Sequence, residues 1–124
     1  MKINEKLIGI EDYIIETGKN DNWQWRKWKS GRIELTGTIQ YTNLSITTAS
    51  MGTYYGAEKN SPLPFNIKEL YYLGYSECAV RSSGVFVYNT SVENTTLKTE
   101  FRAHASSAEA KCNVRYYIIG KISQ

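Results

Sequence analysis

Residues 22–37 read NWQWRKWKSGRIELTG, and the register of this stretch decides how the chain folds. All three tryptophans lie in it, at Trp23, Trp25 and Trp28. Lys29-Ser30-Gly31 follows, then the alternating run Arg32-Ile33-Glu34-Leu35-Thr36. Two alternating runs around a Gly-containing turn read as a β-hairpin. A three-residue loop at 29–31, with Gly31 in the left-handed conformation, puts Trp23, Trp25, Ile33 and Leu35 on one face. Arg26, Trp28, Arg32 and Glu34 then share the other face, with Glu34 opposite Arg26. A two-residue loop would set Glu34 against Lys27 and Leu35 against Arg26, and the apolar face would be broken. Burial of one face is what specifies register, so the three-residue loop is expected, with Trp23 and Trp25 buried.

Outward from the hairpin, the chain keeps a period of two. Residues 12–17, DYIIET, form a first strand, and Lys19-Asn20-Asp21-Asn22 a turn. Residues 44–49 alternate, and 52–56 form a short aromatic strand between glycines. Residues 57–63, AEKNSPL, lack a period and read as a loop before Pro64 and Phe65 reopen extended chain. Strands follow at 69–78, 85–88, 96–105 and 113–122, separated by turns at 80–84 and 89–94. Residues 106–111, SSAEAK, read as a loop or a single helical turn. This predicts an all-β domain, a β-sandwich or jelly-roll-like fold of about eight or nine short antiparallel strands. Residues 1–11 are expected to be a lead-in segment, and 12–124 the sandwich domain.

The totals bound the function. A chain of 124 residues fits one domain with a real core. The formal net charge is +3, and the Arg26-Lys27-Lys29-Arg32 cluster reads as a solvated face, which argues against nucleic acid as a partner. No run approaches the ~20 apolar residues of a membrane span, and the first residues lack the apolar core of a signal peptide. Cys78 and Cys112 are the only cysteines and are expected to be reduced, small buried hydrophobes. With a single histidine they cannot complete a zinc site, so no metal or other cofactor is expected.

No nucleophile, zincin or phosphate-loop motif is present, and the chain is not expected to be an enzyme. His104 reads as a partly exposed polar residue on an outward strand face. Glu34, Glu77 and Glu100 sit in alternating runs where a cross-strand ion pair is the plainer role than glycoside cleavage. Trp23 and Trp25 belong to the core face. Trp28 is expected either at a subunit interface or stacked under the stems of Arg26 and Arg32. The tyrosines suit a ligand better, since each has an apolar ring and a hydroxyl. Tyr54 and Tyr55 flank a glycine-bounded loop, and Tyr71, Tyr72 and Tyr75 follow the prolines. Arg81 and Arg102 suit anionic groups. From these, Tyr54, Tyr55, Tyr72 and Arg81 are the candidate ligand-binding residues, chosen because they come from loops and strand ends. Large aromatics beyond what one thin core hides also point to an interaction surface.

The run W-x-x-R-K-W-x-S-G-x-x-E at 23–34 resembles a signature in the C-terminal domain of minor structural, tail and receptor-binding proteins of phages of Gram-positive bacteria. Ile46-Thr47-Thr48-Ala49 with Gly52-Thr53-Tyr54-Tyr55, then Leu63-Pro64-Phe65, then Tyr116-Tyr117-Ile118-Ile119-Gly120, are similar to later blocks of that family in the same order. Trp25, Lys29 and Thr36 depart from the usual tyrosine, asparagine and tryptophan, and no tryptophan follows Gly120. The resemblance covers roughly residues 12–122. It implies a domain made in the bacterial cytoplasm and placed in the virion tail, a homotrimer contacting other tail proteins. It also implies a receptor role toward a host cell-wall saccharide or teichoic-acid-like polymer. A purely structural assembly or trimerisation module is the alternative, and a glycan-cleaving enzyme a distant third.

Overall fold

The computed structural model describes residues 12–122, so the expected lead-in at 1–11 lies outside the described residues. The described chain is all-β: β1 (Ile14–Lys19), β2 (Trp23–Trp28), β3 (Arg32–Ile46), β4 (Thr48–Ser50), β5 (Thr53–Arg81), β6 (Val85–Ala103) and β7 (Ser107–Ile122). The strand order is β1-β2-β3-β7-β5-β4, with β6 also on β5, and every pairing is antiparallel.

The β2–β3 hairpin has the expected register. Arg26 pairs with Glu34, Trp25 with Leu35 and Lys27 with Ile33. Gly31 has φ 96°, and its N–H donates to the Trp28 carbonyl at 3.0 Å, closing the loop. Trp23, Ile33 and Leu35 are buried. Trp23 lies over Gly37, its direct partner, where a side chain would meet the indole. Trp25 is only half-buried. Its ring packs edge-on against Phe65 at 5.3 Å and over Gly18, while its indole N–H donates to Glu16 at 3.1 Å. Among the described residues β1 is the outermost strand beside it, which leaves Trp25 near the edge of the sheet.

Several expected short strands merge into longer spans. Residues 57–63 are strand, not loop: Ala57 to Pro62 pair with Phe101 to Thr96. The residues with no period of their own are extended because β6 supplies their hydrogen bonds. Similarly, β7 starts at Ser107, so 107–111 are strand, with Ala110 against Leu44. The span 53–81 cannot be straight. Fully extended it would reach roughly 95 Å, against a radius of gyration of about 14 Å for a domain of this length. Its ladder breaks between Pro62 and Ile67, where Pro62 and Pro64 lack N–H donors. Before the break β5 pairs with β4 and β6; after it, Ile67 meets both Asn94 of β6 and Ile122 of β7, and the rest pairs with β7. β6 doubles back as well. Thr90 Oγ1 donates to the Lys98 carbonyl at 2.9 Å, His104 N–H to the Gly84 carbonyl at 3.1 Å, and Asn94 has φ 57°.

The result is sandwich-like. One layer holds β1, β2, β3, β7 and the second half of β5. The other holds β4, the first half of β5 and β6. The core between them includes Leu35, Leu44, Ile46, Leu97, Phe101, Val114, Tyr116 and Ile118, all at most 1% exposed. Tyr41 packs edge-on against Phe101 at 4.9 Å. Its hydroxyl lies 2.9 Å from that of Tyr116, which in turn lies 2.6 Å from Thr99 Oγ1. These three hydroxyls join β3 and β7 to β6 through the core, where each buried O–H needs a partner. Burial and the Tyr41 hydroxyl hold the Tyr116 phenol well above the usual tyrosine range.

Candidate functional site

Register alone lays out the outer face of the first layer. Lys19 pairs with Gln24, Gln24 with Thr36, Thr36 with Tyr117 and Tyr117 with Gly74. Direct partners in a ladder share a face, so these residues form one row across five strands. The flanking row is Thr17, Arg26, Glu34, Ile119 and Tyr72. On the other side Thr38, Arg115 and Ser76 continue the face.

Two depressions lie along these rows. The larger, about 650 Å³, runs from the Lys19–Gln24 turn over Thr36 and Thr38 to Tyr72, Tyr75, Arg115 and Tyr117. The smaller, about 500 Å³, adds Thr17, Trp25, Arg26 and Glu34. Both are lined by Lys19, Gln24, Thr36 and Tyr117, so they join as one groove crossing the strands. Glycine shapes it. A Cβ on Gly74 would come within 2.7 Å of the Tyr72 hydroxyl, so only glycine lets that ring fold down onto the sheet. There it lies 5.8 Å from the Tyr117 ring. Tyr72 and Tyr117 are 52% and 37% exposed and offer ring surface on this face, whereas Tyr75, paired with Tyr116, has the opposite parity and borders the depression from the sheet's other side.

The rim of the smaller depression is an ionic cluster. Arg26 donates to Glu34 Oε1 from Nε at 3.1 Å and from Nη2 at 2.6 Å, and Arg32 Nη2 donates to Oε2 at 3.3 Å. Glu34 is buried, and both cations are what make its burial tolerable. Trp28 lies between the same guanidiniums, with centroid distances of 5.6 and 5.0 Å. Of the two places considered for Trp28, the stack with Arg26 and Arg32 is present within the chain. The turn that ends the groove is held by Asn20, whose Oδ1 accepts the N–H groups of Asn22 and Trp23 at 3.1 and 2.9 Å.

The structure separates the four candidate ligand residues. Tyr72 is in the groove. Tyr54, Tyr55 and Arg81 lie at one end of the sandwich, around β4, β6 and the 82–84 turn. Tyr54 is half-buried against the core. Tyr55 faces Arg102 at 5.4 Å, and Arg102 also stacks on Tyr88 at 3.9 Å while reaching Thr53 Oγ1 at 3.3 Å. Arg81 Nη1 donates to the Val85 carbonyl at 2.7 Å. Arg81 is thus engaged by the backbone after its turn, and Tyr54 by the core, while Tyr55 keeps 39% of its surface exposed beside Arg102.

Lys19, Gln24, Arg115 and Tyr117 were not singled out from sequence. The parity of β7, which sets Arg115 and Tyr117 opposite the buried Val114 and Tyr116, was the available signal. The glutamates have diverse roles. Glu34 is ion-paired as expected. Glu77 instead accepts the Val87 N–H at 2.9 Å. Glu100 faces Glu58, and Lys98 offsets that like-charge pair by bridging to Glu58 at 3.3 Å. His104 is exposed, its ring 5.2 Å from Phe86. Cys78 and Cys112 are free thiols, and burial, with the Glu77 charge, pushes the Cys112 thiol up to about 11. Among the described residues no three metal-ligating side chains converge. Comparison with protein-family models, with curated proteins and with solved structures finds no match for this chain.

Proposed function

We propose that this is a phage or prophage tail-associated domain that recognises a host cell-surface polymer, a saccharide. The ordered motifs between residues 23 and 120 support the source. The groove supports the activity. It is open, crosses five strands, and combines the partly exposed rings of Tyr72 and Tyr117 with an amide, hydroxyl and cation floor. Rigid aromatic faces cover the C–H faces of sugar rings at low entropy cost, while polar groups fix orientation. An open groove accepts a segment of a long chain rather than an enclosed small molecule. Its carboxylates are Asp21 at the turn and Glu34, which two arginines hold. That favours binding over cleavage, which needs two carboxylates facing one bond.

The deciding experiment is co-sedimentation with purified cell walls of Gram-positive hosts. Tyr117→Ala should weaken binding at least tenfold with an unchanged melting temperature, because its ring is outward. Binding that survives Tyr117→Ala and Tyr72→Ala together removes the groove from the reading.

A specific observation favours a second role, self-assembly. Ile14 and Ile15 on β1, and Leu70, Tyr71 and Val80 on β5, are exposed. They lie outside the groove linings, and apolar surface of this kind marks association. A closed homotrimer within a tail would cover it. Sedimentation at micromolar concentration tests this: a monomer sinks the assembly role and leaves the groove untouched.

A further inference from the structure

We propose a second binding site, on the outer face of the second layer, for the C-terminal carboxylate of a peptide whose last side chain is apolar. It is separate from the groove, and its centre is Arg102. Phe101 and Ala103 are buried in the core, so Arg102 between them faces outward. Tyr55 is its ladder partner on β5. Tyr88 comes from the first arm of β6, which returns along the other side of Arg102. The bonds from Thr90 to the Lys98 carbonyl and from His104 N–H to the Gly84 carbonyl fix that return. The guanidinium lies 3.9 Å from the Tyr88 ring and 5.4 Å from the Tyr55 ring. Both tyrosines remain exposed.

The molecule contains the same device twice, and only one copy is complete. In the hairpin, Arg26 and Arg32 stack on Trp28, and their N–H groups hold the Glu34 carboxylate. Arg102 is stacked in the same way, yet among the described residues it forms no ion pair. Its one side-chain hydrogen bond runs from Nη1 to Thr53 Oγ1 at 3.3 Å, and Nε is buried with no acceptor. A guanidinium whose faces lie on rings presents its edge, and that edge takes a carboxylate bidentately. The neighbouring charges restrict the ligand. Glu100 faces Glu58, and Lys98 bridges to Glu58. A polyanion would meet these glutamates, whereas a single carboxylate meets Arg102 alone. Exposed rings beside the cation suit apolar surface next to that charge. A chain terminus carries both on one α-carbon, while an Asp or Glu side chain carries the charge without the apolar group. Tyr and Arg are also the residue types that anchor protein interfaces.

The test is an NMR titration of the full chain with four probes: N-acetyl-phenylalanine, its amide, N-acetyl-glutamate α-amide and glucuronate. N-acetyl-phenylalanine should shift the signals of Tyr55, Tyr88 and Arg102 and leave those of Tyr72 and Tyr117 in place. Its amide should bind about tenfold more weakly, since the charged hydrogen bonds are lost. Arg102→Gln should lose about tenfold in affinity, and Arg102→Lys most of that, because an ammonium keeps the charge without the planar fork. Lys121→Gln on the first layer should bind as wild type. If Arg102→Gln fails to fold, the shift map of the wild-type chain decides. Equal binding of the amide overturns the carboxylate. Tighter binding of N-acetyl-glutamate α-amide or of glucuronate overturns the chain terminus. Shifts confined to the groove, or binding of none of the four, overturn the site, and the cell-wall co-sedimentation with Tyr117→Ala then decides the groove reading separately.

Discussion

The β2–β3 hairpin and β5 are both antiparallel β-structure, yet different forces hold them. In the hairpin, Arg26 meets Glu34 and Trp28 stacks within the same short stretch. Its loop is closed by Gly31, whose φ of 96° only glycine adopts without strain. β5 has no such local device. Tyr54 pairs with Ala103, and Ile67 pairs with Ile122. Its first half is extended because β6 lies beside it, and its second half because β7 does. Local chemistry sets one region and distant partners set the other, so damage to distant contacts should matter more.

Four measurements sharpen or break that contrast. The largest effect is expected from Phe101→Ala, which empties a fully buried site against Tyr41 where β6 meets the first layer. Chemical denaturation should show a loss of about 3–5 kcal/mol. A smaller loss than from any hairpin substitution would reverse the comparison. Tyr116→Phe keeps the ring and removes the hydroxyl between Tyr41 and Thr99. About 1–2 kcal/mol should go, since a buried partner is left short of one bond. No change would mean that Tyr41 and Thr99, already 3.4 Å apart, re-pair at no cost. Gly31→Ala strains the hairpin loop alone and should cost about 1–2 kcal/mol, with groove binding retained.

The smallest effect below neutral pH is expected from titration at Cys112. Its thiol is raised to about 11 by burial, so the folded state holds a proton that the unfolded chain releases earlier. Stability from this group is complete below the ordinary thiol range and falls as pH rises through that range toward 11. Urea midpoints measured from pH 7 to 11 should decline on the alkaline side, and Cys112→Ala should flatten part of the decline. An equally steep decline in that variant would assign the alkaline loss elsewhere, with Tyr116 the next group to examine.

The same contrast explains what could be read of the site. Tyr72 was a ligand candidate because it follows the prolines and was expected at a strand end, yet it lies within β5, paired with Ile119. Arg115 and Tyr117 had the right parity but nothing local to distinguish them from any solvated strand face. Their meaning comes from neighbours on other strands: Thr36 on one side of Tyr117, and Gly74 on the other. Tyr54, Tyr55 and Arg81 looked equally suited; the packing of Tyr54 on the core, the contact of Tyr55 with Arg102 and the bond from Arg81 to the Val85 carbonyl became visible only in the folded chain.

By itself the sequence determined the all-β class and the hairpin register, and it narrowed Trp28 to a subunit interface or a stack with Arg26 and Arg32. Alternation, a glycine at a left-handed turn and a face that must be buried are local constraints with one joint solution. Only the tertiary structure decided that 57–62 is strand, that β5 serves both layers, and that the two depressions join across five strands. Backbone N–H and C=O groups pair with whichever strand lies beside them, and loop closure lets that strand be distant in sequence. The groove exists because β7 lies between β3 and β5, a neighbour relation that no local pattern in the chain encodes.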